Sequence, residues 1–134
     1  MTYNDLTPTP DADSKPFWEG CRNHELLFQK CAECGEIRWP PGILCPRCHS
    51  QEVEMVQSGG KGTIYSYVIY HQPFHPEFAD KVPYVVAIVE LEEGPMLITN
   101  IVECPHESLA CDMPVQVHWD DVSEECTLPK FRPA

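Results

Sequence analysis

A chain of 134 residues with 43 % apolar side chains, 14 prolines and a net charge of −12 has material for one packed core plus a small satellite, and for few long helices. It lacks an apolar run of about 18 residues, which excludes a transmembrane helix, and its opening MTYNDLTPTPDADSKP has no basic-then-apolar order, so a cytoplasmic protein without a signal peptide is expected. The charge is uneven: residues 1–60 hold nine acids and five bases, net −4, and residues 61–134 hold twelve acids and four bases, net −8, which argues against a nucleic-acid partner.

In chain order, residues 1–13 read as a flexible arm. Ser14 and Pro16 then mark the start of a helix expected to run to about His24, with Phe17, Trp18 and Cys21 as its apolar stripe, weakened by Gly20. ELLFQKC reads as a strand entering a Cys-x-x-Cys pair and EIRWP as the strand leaving it. PPGILCPRC returns to a second pair. SGGKG at 58–62 reads as a flexible junction. Beyond it the pattern is all β: TIYSYVIYH (63–71), YVVAIVEL (84–91), PMLITNIV (95–102), PVQVHW (114–119) and CTLPKF (126–131). Five strands after a ribbon predict a mainly β protein: an N-terminal helix and rubredoxin-like zinc ribbon over 14–57, then a five-stranded OB-fold barrel over 58–134. ECPHESLACDM, between the third and fourth barrel strands, is too short for much of a helix.

Eight cysteines in a reducing compartment point to metal before disulfides. Cys31, Cys34, Cys45 and Cys48 form two knuckles ten residues apart. Four thiolates close a tetrahedral sphere, so the ion is expected to be a structural zinc with no open position. The spacing alone also suits iron. Gly35 supplies the positive φ such a knuckle needs. His49, beside the last ligand, is superfluous once four thiols are present. Cys21, Cys104, Cys111 and Cys126 have no ligand spacing and are expected to be small buried hydrophobes.

Other chemistry is sparse. His71 and His75 stand four apart, but Pro73 and Pro76 forbid a helix there, leaving a loop with Phe74 and Phe78. GGKG lacks the strand–loop–helix context of a phosphate loop. Glu92/Glu93, Asp120/Asp121 and Glu124/Glu125 fall in predicted turns and read as solvated, and His118 and Trp119 read as packing residues. No set of residues makes an active site, so the chain is not expected to be catalytic alone.

The order PFWEG, LLFQKCAECGEIRWPPGILCPRCHS, GGKGTIYSYVIYHQPFHPEFADKVPYVVAIVELEEGPMLITNIV, MPVQVHW and LPKFRPA, over about residues 14–134, resembles the zinc-ribbon/OB-fold proteins that accompany thiolases, long called a domain of unknown function. The motifs are Pro40-Pro41, Gly60-x-Gly62-Thr63, Pro83-Tyr84 and Pro129-x-Phe131-Arg132. The resemblance implies a non-catalytic accessory subunit in a hetero-oligomer with a thiolase-fold enzyme, sharing a CoA thioester. The alternatives are a hot-dog-fold enoyl-CoA hydratase as partner or, from another class, single-stranded nucleic-acid binding. It carries over only the four cysteines. On chemistry alone, Arg38, Arg47 and Lys61 are candidates for CoA phosphates, and Trp39 and Phe74 for stacking on adenine. Phe17, Trp18, His71, His75 and Phe78 are candidates for partner contact.

Overall fold

The computed structural model describes residues 8–134, and residues 1–7 of the expected arm lie outside the described residues. Helix α1 spans Lys15–Arg22 with Pro16 in its first turn. Ser14 does not cap it through its side chain. Instead Ser14 Oγ accepts from the Asp11 N–H (3.0 Å) and Asp11 Oδ1 accepts from the Ser14 N–H (2.8 Å), so the turn before the helix is closed on itself. The buried side of α1 carries Phe17, Gly20 and Cys21.

Strands β1 (Leu27–Cys31), β2 (Ile37–Arg38) and β3 (Val53–Gln57) form a sheet in the order β2-β1-β3. Strand β3 has no counterpart in the sequence reading. Its VEMVQ is exposed at all positions but Val56 and carries no burial pattern of its own. It is a strand because five of its residues pair with β1, from Leu27↔Gln57 to Cys31↔Val53.

The remaining strands are β4 (Lys61–Tyr70), β5 (Tyr84–Leu91), β6 (Met96–Ile101), β7 (Pro114–Asp121) and β8 (Thr127–Pro133), closed in the order β4-β5-β6-β8-β7. Closure needs a parallel contact between β6 and β8 (Ile101↔Phe131, with the Val102 N–H donating to the Phe131 carbonyl at 2.8 Å) and a short antiparallel one between β4 and β7. This is the expected five-stranded OB barrel. A bulge between Ile64 and Ser66 leaves Tyr65 unpaired, so Ile64, opposite Val89, and Tyr67, opposite Ala87, both turn inward. ECPHESLACDM forms one 3-10 turn, His106–Ser108.

The core is continuous from barrel to ribbon. Ile64, Val89, Val115 and Phe131 inside the barrel belong to the same buried cluster as Phe17, Cys21, Leu26 and Phe28. The SGGKG segment is a pinned seam, not a loose joint. The Ser58 N–H donates to the Leu26 carbonyl (2.8 Å). Glu93 accepts from Ser58 Oγ (2.7 Å) and from the Gly59 N–H (3.0 Å). Gly60 there has φ +75, and a Cβ on it would stand 2.5 Å from Val117 Cγ1. Glu93 is therefore an anchor, where the sequence suggested only a solvated turn.

Candidate functional site

Two features stand out: a cluster of thiols in the ribbon and a cavity at one end of the barrel.

The Sγ atoms of Cys31, Cys34, Cys45 and Cys48 all lie within 4.8 Å of one another. Cys31–Cys48 and Cys34–Cys45 are each 3.5 Å apart. Tetrahedral zinc with Zn–S bonds of about 2.3 Å needs sulfurs about 3.8 Å apart, so the set fits that ion. The two knuckles are built alike. In the first, the Gly35 N–H donates to the Cys31 carbonyl (2.9 Å) and the Cys31 N–H to the Glu36 carbonyl (2.8 Å). In the second, the His49 N–H donates to the Cys45 carbonyl (2.8 Å) and the Cys45 N–H to the Ser50 carbonyl (2.9 Å). Gly35 has φ 80 and His49 φ 64, so His49 fills by backbone the left-handed position that glycine fills in the other knuckle. Cys21, by contrast, is fully buried against the barrel. Burial, with Cys126 nearby, pushes its thiol up to about 12, so it is a packing residue. Cys104 and Cys126 are half-buried, and Cys111 is exposed, contrary to expectation.

The cavity, of about 630 Å³, opens between the β4–β5 connection, the end of β6 and strand β8. Phe78, Lys81, Tyr84, Asn100, His106 and Lys130 are among the residues that line it. Its lining mixes apolar side chains with two lysines, Lys81 and Lys130, and one acid, Glu103, which suits an amphipathic molecule. Lys130 is held by Asp120 (2.7 Å), so one of the acids expected to be solvated positions a cavity lysine. The Lys81 ammonium lies 5.8 Å from the Phe78 ring centroid. The sequence reading found Phe78 but missed Lys81, Tyr84 and Lys130. The signal lay inside two quoted motifs: Tyr84 closes Pro83-Tyr84 and Lys130 is the middle residue of Pro129-x-Phe131.

The other candidates scatter. Arg38 is only 7 % exposed. Its Nε donates to Gln29 Oε1 (2.9 Å), its Nη2 donates to the Gly42 carbonyl (3.1 Å), and its Nη1 has no partner among the described residues. It braces the turn at Gly42 and is almost wholly withdrawn from solvent. Trp39 packs on Phe17 with ring centroids 4.2 Å apart, which removes it from a stacking role at the surface. Phe17, expected at a partner surface, is 1 % exposed, and Trp18 is half-buried with its ring edge-on to Phe17. Burying these rings against the barrel is worth more than displaying them. Arg47 is exposed and pairs with Glu36 (3.4 Å). Lys61 lines a separate hollow beside Glu90 and Glu92, acids that compete with any phosphate. Phe74 and Phe78 stay together in the β4–β5 connection. Tyr70 meets Phe74 (5.7 Å) and Tyr84 (5.2 Å), Tyr84 meets Phe78 (5.5 Å), and His75 stands 6.1 Å from Phe78. His71, in the same connection, is exposed.

A second, more polar hollow of about 740 Å³ lies between α1 and the β7–β8 hairpin. Across it His24 Nε2 meets Asp121 (2.9 Å), Thr127 Oγ1 donates to the same carboxylate (2.7 Å), and the His24 ring stacks on Trp119 at 5.4 Å. These contacts fasten helix to barrel and hold the Asp121 carboxyl below its ordinary value.

Two family profiles cover this architecture: the ChsH2 rubredoxin-like zinc ribbon over residues 18–54 and the ChsH2 C-terminal OB-fold domain over 55–120. A solved structure titled Ltp2-ChsH2(DUF35) aldolase contains a chain 41 % identical, with TM-score 0.87 over 94 % of this chain and 98 % of that one. The chain belongs to the DUF35 family. Among curated members it is 39 % identical to a DUF35 domain-containing scaffold protein of Methanothermobacter thermautotrophicus, over 78 % of each chain. It is 26 % identical to the benzoylsuccinyl-CoA thiolase subunit BbsA of Thauera aromatica, over 86 % of this chain and 72 % of that one. It is 42 % identical to a probable enoyl-CoA hydratase alpha subunit of Thermomonospora curvata, over 96 % of this chain but 40 % of that relative's length. The zinc-ribbon match and the four-thiol geometry together support a structural zinc in this DUF35 protein. Among the described residues, no helix is long and apolar enough to cross a membrane.

Proposed function

We propose that this protein is a non-catalytic subunit of a thiolase-type complex, stabilising a thiolase-fold enzyme and helping to hold or pass on its CoA thioester. The observation that carries the reading is the 41 % identical chain, matched almost end to end, in the aldolase structure. The thiolase subunit among the relatives supports the same class. The barrel-end cavity supports the ligand part of the reading: apolar lining would take the pantetheine arm of CoA, and Lys81, with Lys130 exchanging its Asp120 partner, would meet the phosphates of the nucleotide end. The ribbon's role is mechanical. Cys31, Cys34, Cys45 and Cys48 would hold a zinc that fixes the fold of about 40 residues. A partner of the hydratase class is the second reading, favoured by the relative named as a hydratase alpha subunit.

The test is a native pull-down with this chain as bait, followed by mass spectrometry of bound proteins and of any acyl-CoA. A stoichiometric thiolase-fold subunit is expected. A hot-dog-fold hydratase alone, or full turnover of the thiolase-fold enzyme in the absence of this chain, would overturn the first reading. For the ligand, Lys130→Glu is expected to weaken CoA binding by about tenfold or more while leaving the zinc content unchanged.

A further inference from the structure

We infer that the outer face of strands β4, β5 and β6 is where the thiolase-fold subunit docks, with the barrel-end cavity at the border of that interface. The inference rests on the functional reading above.

The register sets the face. Ile64, Ile69, Val85, Ala87 and Val89 point into the barrel, so their neighbours point out. This puts Ser66, Ile88 and Ile98 in one outward row, Val68, Val86 and Asn100 in the next, and Tyr70 beside Tyr84 in a third. No charged side chain stands in these rows. In a chain of net charge −12 that is unusual, and the first acid on this face, Glu90, lies at its rim opposite Met96. The apolar side chains are displayed: Ile98 is 70 % exposed, Val68 51 % and Phe74 70 %. A contiguous uncharged face of this kind marks an interaction surface.

The face is bounded by β4 and β6, whose outer edges pair only over Lys61–Thr63 with β7 and at Ile101 with β8, and its displayed side chains are the surface a partner meets first. Charge selects the occupant. Two copies of this chain would bring −12 against −12, whereas a partner with an apolar face and a neutral or basic surround meets the uncharged centre without that repulsion. The face also runs into the ligand site without a break. Tyr84 sits beside Tyr70 in the outer row and lines the cavity with Phe78, and Asn100 does the same from β6. A subunit seated here would therefore share the cavity mouth, and the thioester would pass between the two proteins without crossing open water. The ribbon also displays Ile43, Leu44, Val53 and Met55, but these stand on the other module and provide a built-in control.

The experiment uses the full-length zinc-loaded chain and the thiolase-fold subunit that co-purifies with it. Val68→Glu/Ile98→Glu is expected to weaken assembly at least a hundredfold by titration calorimetry, with zinc content and melting temperature unchanged. Ile43→Glu is expected to leave assembly within about twofold of wild type. Because a charged pair on a sheet face can disturb folding, hydroxyl-radical footprinting of the wild type provides a second test: Tyr70, Phe74 and Met96 are expected to be protected in the complex and reactive in the free chain. Wild-type affinity in the double variant, or footprint protection confined to the ribbon, would overturn the assignment of this face while leaving the functional reading intact. Failure of the wild type to bind any thiolase-fold subunit would overturn both. A wild-type dimer that the double variant converts to monomer would overturn the choice of occupant.

Discussion

The ribbon, with both Cys-x-x-Cys pairs and three strands, and the barrel, with five strands and no such pair, are held together by different physics. In the ribbon, residues 23–57 supply few large buried side chains, chiefly Leu26 and Phe28, and three strands of which one has only two residues. Its order comes from four sulfurs and two mirrored knuckles. The barrel has no metal site among the described residues and draws its order from a closed ladder around Ile64, Val85, Val89, Leu91, Val115 and Phe131. A module too small to bury enough surface uses a bond, and one large enough uses apolar area. The comparison also shows where the two meet: Phe17 and Phe28 extend the barrel core into the ribbon, so the bond-held part is seated on the area-held part.

Removing the metal should produce the largest contrast. Structural zinc contributes about 10–16 kcal/mol of apparent binding energy in small metal-dependent folds. Chelation, or Cys45→Ser, is expected to abolish zinc binding and strip amide-exchange protection from β1–β3 while β5 and β6 remain protected. Simultaneous loss of both would show that the shared core makes the two modules one cooperative unit.

The reciprocal cut is Phe131→Ala, at a fully buried position where β8 meets β6. It is expected to cost about 3–5 kcal/mol in denaturant unfolding, with one zinc per folded chain retained. Loss of the metal at low denaturant would mean that the ribbon cannot stand without the barrel.

A smaller effect probes the fastening between them. Asp121 is held below its ordinary value of 3.8 by the His24 hydrogen bond and then by Thr127. The unfolded chain therefore binds a proton at higher pH than the folded chain. The stabilisation is fully present above the ordinary carboxylate value and is lost as pH falls through the lowered one. Asp121→Asn is expected to remove that part of the acid limb below about pH 3.8, a change that acid titration followed by tryptophan fluorescence will read through Trp119. An unchanged acid limb would show that the clamp carries no stability.

The finest test sharpens the likeness between the knuckles. His49 holds a left-handed backbone (φ 64) that costs an L-residue about 1–2 kcal/mol; glycine would relieve that cost, and its looser unfolded state would offset about 0.5–1 kcal/mol of the gain. His49→Gly is expected to raise stability by about 0.5 kcal/mol with zinc affinity intact. A loss of zinc would instead give the imidazole a role at the metal.

Much of this was legible in one dimension. The two Cys-x-x-Cys pairs specify their own geometry, because short turns between ligands leave little freedom. YVVAIVEL becomes β5 at the boundaries its apolar run suggests, since a strand buried on one face and half-covered on the other needs no distant partner to be recognised. Gly35 adopts the φ its place after a knuckle requires. Strand β3 was not legible. VEMVQ is exposed and unpatterned, and only the free edge of β1 makes it a strand. The cavity was not legible either, because Lys81, Tyr84, Asn100 and Lys130 come from distant parts of the chain and meet only when β6 and β8 close the barrel in parallel. Nor was the fate of the aromatics. Phe17, Trp18 and Trp39 look like display residues in sequence, yet they pack at the junction of ribbon and barrel, while the apolar Val68 and Ile98 stand outside. The sequence by itself determined what local rules govern: the metal ligands, the knuckle turns and the number of barrel strands. The tertiary structure decided which face of each strand meets water and which charges share a cavity. Those outcomes depend on register and closure, and the free energy of closure comes from contacts between residues far apart in the chain.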